Sequence, residues 1–166
     1  MSLITPNAQE AYEAILEVLN GMDNVVIHFK EDHDLAVYGE IYERSQFKVF
    51  SLSVNYFQNC FSLSVDIPKT LVSNEKHIEA LIAIDLLKPV YPGTFTVKKY
   101  GRGISYLIEN RFSSSGQRAE NVETINYLLE TALTAIYRYG DGFLQHSFGQ
   151  LSLQELLQKF HLIENT

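Results

Sequence analysis

The side chains here with the widest chemical repertoire are five histidines, His28, His33, His77, His146 and His161, and one cysteine, Cys60. A zinc-binding pair on a helix needs two ligands one turn apart, and no two of these histidines have that spacing. Cys60 has no second cysteine with which to hold a metal or close an internal disulfide. Its setting is that of a small buried or half-buried strand residue rather than of an activated nucleophile. His28 and His33 flank Glu31, Asp32 and Asp34, which is the nearest approach to a metal cluster. No calcium-loop pattern fits these residues, and a solvated acidic turn is the better reading.

Gly101-Arg102-Gly103 has the look of a phosphate loop, but a phosphate cradle needs a strand that runs into a helix N-terminus. Here the glycines join two strand-like segments, so they read as a tight hairpin turn. No glycine-rich run ends in Lys-Ser or Lys-Thr, and there is no Gly-x-Ser-x-Gly elbow. Asp85 stands among Ile82, Ile84, Leu86 and Leu87. It either faces solvent between two apolar edges or is a buried carboxylate bonded to the following loop, since an ionised group away from water must be paired. On these grounds no catalytic, cofactor-binding or metal-binding residue is assigned, and the chain is expected not to be an enzyme. A hydrolase or isomerase would have to use Asp85 or the His28–His33 turn in a cleft.

The acidic side chains outnumber the basic ones twenty to thirteen, for a net charge of -7. Association with phosphate backbones needs clustered Lys and Arg, so nucleic acid is not an expected partner. Lys98, Lys99 and Arg102 do gather around one turn, where three charges fit a solvated edge that discourages strand aggregation. No apolar run approaches the roughly 18 residues of a membrane span. The first residues do not resemble a secretory signal, and a cytoplasmic location is the default expectation. With 166 residues, 46% of them apolar, the chain fits one domain without a disulfide or metal scaffold. Its core is expected over about residues 6–139, with a helical extension over about 141–166.

The elements that must position these side chains follow from periodicity. Thr5 and Pro6 suit the cap and first turn of a helix, whose stripe is Ala8, Ala11, Tyr12, Ile15, Leu16 and Leu19. Asn20-Gly21 supplies a left-handed stop. From Asn24 to Ile67 the period becomes two. Val25, Ile27 and Phe29 alternate with Val26, His28 and Lys30; Leu35, Val37, Gly39 and Ile41 follow the acidic turn. A third strand runs from Phe47 to about Phe57, and a fourth shows Phe61, Leu63, Val65 and Ile67 on one face. Short polar turns between the four predict an antiparallel meander with one face on a core.

Ser73 caps a second helix that ends at Lys88 before Pro89, with Ile78, Leu81, Ile82 and Leu86 as its stripe. A hairpin pairs Thr94–Tyr100 with Ile104–Phe112. A third helix runs from about Arg118 to Tyr139, with Val122, Ile125, Leu129, Ala132, Leu133 and Ile136 on its buried side, until Gly140-Asp141-Gly142 breaks it. Ser152-Leu153-Gln154-Glu155 is the capping box of a final short helix. The order, helix, four strands, helix, two strands, helix and a helical tail, predicts an α+β fold with a largely antiparallel sheet of about six strands.

One face of that sheet stands out. If Leu35, Val37 and Ile41 face the core, Ala36, Tyr38, Glu40 and Tyr42 point away, and Tyr100 lies opposite Phe95 and Val97. Tyrosines among small polar residues suit a wet contact with another macromolecule, and Tyr38, Tyr42 and Tyr100 are the candidate partner-binding residues. The same face also reads as an ordinary solvated surface, or as one covered by the C-terminal tail.

The element order resembles the type III secretion chaperone-like fold and, within it, the YbjN-like family of sensory transduction regulators. The stretches that carry the resemblance are Leu81-Ile82-Ala83-Ile84-Asp85-Leu86-Leu87, Pro92-Gly93-Thr94-Phe95-Thr96-Val97 and Gly103-Ile104-Ser105-Tyr106-Leu107-Ile108. Asp85 stands about where such proteins carry an Asn. The resemblance implies an acidic, dimeric protein that binds other polypeptides or a second copy of itself, without a cofactor or catalysis. A small-molecule sensor with a pocket between sheet and helices is the competing expectation.

Overall fold

The computed structural model describes residues 4–67, 73–88, 92–98 and 103–164. Its elements are α1 (Pro6–Asn20), β1 (Val25–Glu31), β2 (Ala36–Glu43), β3 (Gln46–Asn55), β4 (Cys60–Asp66), α2 (Asn74–Leu87), β5 (Thr94–Val97), β6 (Ile104–Arg111), α3 (Arg118–Ser147) and α4 (Leu153–Lys159). The strands form one six-stranded sheet in the order β1-β2-β3-β4-β6-β5. β1 with β2, β2 with β3 and β5 with β6 pair antiparallel. Beside β4 and β6, the Ile67 N–H donates to the Ile104 carbonyl and the Phe112 N–H to the Asn59 carbonyl, so these two also run in opposite directions. The fold is therefore α+β with an antiparallel six-stranded sheet and four helices, in the order expected from the sequence.

Contacts gather the chain into two compact units. One holds the segments up to Ser64 and Ile108–Thr131; the other holds Val65–Leu107 and everything from Ala132 on. β4, β6 and α3 run from one into the other.

In the first unit, the Thr5 hydroxyl accepts from the Ala8 N–H at 3.1 Å and Pro6 occupies the first turn of α1. The helix buries Ala8, Ala11, Tyr12, Ile15 and Leu19 and packs against β1 and β3. Gly21 ends it in a right-handed conformation, φ -81°, rather than the left-handed one expected: its N–H still reaches the Glu17 carbonyl at 3.1 Å, so the last turn closes as a helical turn. The outer side of α1 presents Glu10, Glu13 and Glu17, and the single guanidinium of Arg118 binds all three. That contact holds the Glu10 carboxyl below the usual carboxylate range, the Arg118 hydrogen bond being the main cause. At the other end of the unit the Tyr12 hydroxyl donates to Asp32 Oδ1 at 2.9 Å and ties α1 to the turn after β1.

The second unit is built around aromatic rings. Phe95 of β5 lies 5.0 Å from Tyr106, 5.8 Å from Tyr139 and 5.2 Å from Phe143, centroid to centroid. Phe160, just after α4, joins them at 4.8 Å from Tyr139 and 5.0 Å from Phe143. This cluster explains why α3 does not stop at Tyr139 as expected but continues through Gly140-Asp141-Gly142 to Ser147. A Cβ on Gly142 would sit 2.4 Å from Phe160 Cε1 and 3.2 Å from Leu156 Cδ1, so this glycine serves a close helix–helix approach. Glycine inside a helix costs about 1 kcal/mol relative to alanine, which burial of Leu156 and Phe160 outweighs. The extra turns also bring the buried ring of His146 within 2.7 Å of Glu79 on α2, a bond that draws the Glu79 carboxyl below its usual range. The capping box expected at Ser152 and Glu155 is present in both directions.

Two outcomes test these packing arguments. Gly142→Ala should lose roughly 1–3 kcal/mol of unfolding free energy in urea titrations, the range for overpacking. Gly140→Ala, whose added carbon would meet nothing nearer than 3.7 Å, should be neutral or stabilise by up to about 1 kcal/mol. In the first unit, burial first and the Asp32 carboxylate second raise the Tyr12 hydroxyl pKa from 10.0 to about 12. A folded pKa above the unfolded one means a contribution complete below pH 10 and lost as pH climbs through about 12. Tyr12→Phe should therefore cost about 1 kcal/mol at neutral pH and close the gap to wild type across that alkaline window, read from urea midpoints.

Candidate functional site

β2 pairs with β3 so that Val37, Gly39 and Ile41 lie opposite Leu52, Phe50 and Lys48, while Tyr38, Glu40 and Tyr42 lie opposite Ser51, Val49 and Phe47. Side chains alternate across a strand, so the two sets take opposite faces. Val37, Ile41, Phe50 and Leu52 are buried. Tyr38, Tyr42, Phe47 and Val49 are exposed, as the alternation along β2 implies for the two tyrosines. Lys48 is on the inner side and buried; its amine donates to the Glu43 carbonyl at 3.3 Å and lies 3.8 Å from the Glu43 carboxylate, which pairs its charge.

β1 departs from simple alternation. Val26 pairs with Glu40 and Ile27 with Gly39, but the register then shifts, and Phe29 rather than His28 pairs with Tyr38. The extra residue is a β-bulge, which turns the strand beyond it over by one position. Phe29, expected on the same face as Val25 and Ile27, is consequently exposed beside Tyr38, with ring centroids 6.1 Å apart. His28 reaches across to Glu40, Nε2 to Oε2 at 3.0 Å.

The outward face of β1, β2 and β3 thus gathers Val26, Phe29, Tyr38, Tyr42, Phe47 and Val49, each between 39 and 54% exposed. Singly exposed apolar side chains are ordinary; six on one face of three neighbouring strands, around the His28–Glu40 pair, are not. Partial burial, with Glu31 and Asp34 adding to it, raises the Tyr38 hydroxyl above its ordinary pKa; Tyr38 stands at one end of the face, and Glu40, bonded to His28, lies between it and Tyr42. At one end the Tyr42 and Phe47 rings stand 4.9 Å apart and inclined at 51°. Together with Asp23, Asn24 and Val26 they line an open hollow of about 320 Å³.

The remaining candidates fall elsewhere. Tyr100 lies outside the described residues, as do Lys99 and Arg102 of the basic turn; Lys98 is paired with Asp66, which also accepts from the Ser105 hydroxyl at 2.7 Å. Asp85 is exposed and paired with Lys88 at 3.1 Å, so it is the solvent-facing carboxylate rather than the buried one. His28 and His33 are both exposed, and the turn acid Asp32 serves Tyr12. Cys60 is buried, and that burial pushes its thiol pKa up, away from what a nucleophile needs.

α2 corrects the stripe expected for it. Ile78, Leu81, Ile82 and Leu86 are its exposed side, between 41 and 68% accessible. Ala80, Ala83, Ile84 and Leu87 are buried, where α2 packs on β5 and α4. The helix is apolar on both sides, and the smaller residues allow the closer approach. It therefore offers a second exposed apolar surface, with the Asp85–Lys88 pair beside it.

No protein-family model and no curated protein sequence matches the chain. Among solved structures, a chain of the HopA1-SchA chaperone-effector complex is similar at 13% identity and a TM-score of 0.44, covering 87% of this chain and 95% of that one. A chain of the ExsC-ExsE complex is similar at 12% identity and a TM-score of 0.45, covering 90% and 95%. Both are likenesses of arrangement alone; no residue role or partner passes from them to this chain.

The assignment of faces is testable by stability. Phe47→Ala should change unfolding free energy by no more than about 1 kcal/mol, the range of a cross-strand pair. Phe50→Ala, three residues along on the inner face, should lose about 3–5 kcal/mol in the same chemical denaturation.

Proposed function

We propose that this chain is a non-enzymatic polypeptide-binding domain of chaperone-like or regulatory type, acting in the cytoplasm as a homodimer. The observation that carries the reading is the apolar and aromatic face of β1–β3, with Tyr38 and Tyr42 on either side of the central His28–Glu40 pair. Such a face offers a bound polypeptide large, stiff contact area with polar tips at the tyrosine hydroxyls, the composition that recurs at protein interfaces. β1 is the outermost strand of the sheet, so an extended segment laid on the face can also pair along its free edge. Self-association is assigned to α2, whose exposed Ile78, Leu81, Ile82 and Leu86 present a stripe at helical spacing. A two-fold axis beside that stripe sets it against its own copy, as isologous interfaces require.

The two surfaces are tested separately in one set of proteins. Multi-angle light scattering should give a dimer mass for wild type and a monomer mass for the Leu81→Glu, Ile82→Glu double variant, with helical circular dichroism unchanged. A photo-crosslinking residue at position 38 or 42 should capture a defined polypeptide in cells, and Phe29→Ser with Val49→Ser should abolish that capture. A chain that stays monomeric at all concentrations and crosslinks to no polypeptide at either position overturns the proposal.

A further inference from the structure

The hollow at the Tyr42–Phe47 end of the β1–β3 face has a chemistry of its own. The rings of Tyr42 and Phe47 line it, 4.9 Å apart, and the face of an aromatic ring is electron-rich. Its rim carries one acid, Asp23, which takes part in none of the salt bridges among the described residues. Rim and wall are held as one piece. The Tyr42 N–H donates to the Asn24 carbonyl at 2.8 Å, and the Asn24 side-chain amide donates to the Tyr42 carbonyl at 3.1 Å. At about 320 Å³ the space is at the small end for a ligand site and suits one long side chain.

We infer that this hollow takes a cationic side chain, the arginine of an extended and otherwise apolar segment of the bound polypeptide. The inference rests on the reading of the β1–β3 face as a docking surface and adds what the docked segment must carry. An aliphatic or an aromatic occupant would fill the space but give the exposed Asp23 carboxylate no partner. A guanidinium stacks flat on a ring and still presents N–H donors at its edge for a carboxylate; an ammonium, a compact point charge, does only the second. The chain's net charge of -7 favours the approach of a basic segment over an acidic one.

The test uses the full chain and three synthetic heptapeptides of alternating valine and serine, identical but for a central arginine, citrulline or norleucine. Citrulline keeps the planar shape and loses the charge. Affinities are read by titration calorimetry, and the site by amide and ring chemical shifts in nuclear magnetic resonance. The arginine peptide should bind about five-fold or more tightly than the citrulline one, the range for a partly exposed cation over aromatic rings with a carboxylate beside them. Shifts should centre on Asp23, Tyr42 and Phe47. Asp23→Asn and Phe47→Leu should each reduce the arginine preference, and added salt should narrow it. Equal affinity for arginine and citrulline peptides, with shifts on the face, overturns this inference alone. Absence of binding by all three overturns it together with the docking reading of the face.

Discussion

Because side chains alternate across a strand, the pairing of Gly39 with Phe50 fixes where every neighbour on β2 and β3 points. A Cβ at position 39 would lie 2.4 Å from the Val26 carbonyl oxygen and 3.1 Å from the Phe50 ring. The absence of a side chain there lets β1 and the ring of Phe50 close on β2 together. A one-residue slip of β2 on β3 would send Val37 and Ile41 outward and Tyr38 and Tyr42 into the core, so the buried set and the exposed set enforce each other. The outward aromatic face is thus not a surface added to the sheet but the necessary other side of its core.

The bulge at His28 acts on the same face from the edge. Without it Phe29 would lie on the side of Ile27, and the outer surface of β1 would offer Val26, His28 and Lys30. With it, Phe29 stacks beside Tyr38, and His28 is free to bond to Glu40. Bulges also bend the strand and increase its twist, which discourages indiscriminate pairing at a sheet edge. The edge that an extended partner would use is therefore shaped rather than flat.

The order of elements, the first helix, the strand meander and the capping box of α4 were legible in the sequence because each has a strong local signature: Thr5-Pro6, two-residue alternation, and Ser152 with Glu155. Tyr38 and Tyr42 could be placed on the outer face by counting along β2. What escaped was set by contacts distant in sequence. Phe29 followed the wrong face because a bulge leaves no trace in alternation. α2 is apolar around most of its circumference, so periodicity picks out the bulky residues, whereas packing on β5 and α4 selects the alanines and Ile84. Gly140 and Gly142 read as a helix end, since nothing nearby in sequence announces that Phe160 will need the space. Phe47 and Val49 lay within reach of the alternation rule once the pairing of β3 with β2 was known.

Arg118 carries a further implication for how the chain assembles. Glu10, Glu13 and Glu17 lie three and four residues apart on one side of α1, a spacing at which like charges repel and weaken an isolated helix. The cation that reconciles them is as far as 108 residues away in sequence. Until Arg118 is in place, that repulsion subtracts about 0.2–0.5 kcal/mol per pair from a helix whose apolar side packs on β1 and β3. Closure of that long loop thus adds an ionic clasp to an amino-terminal helix already anchored by its buried side.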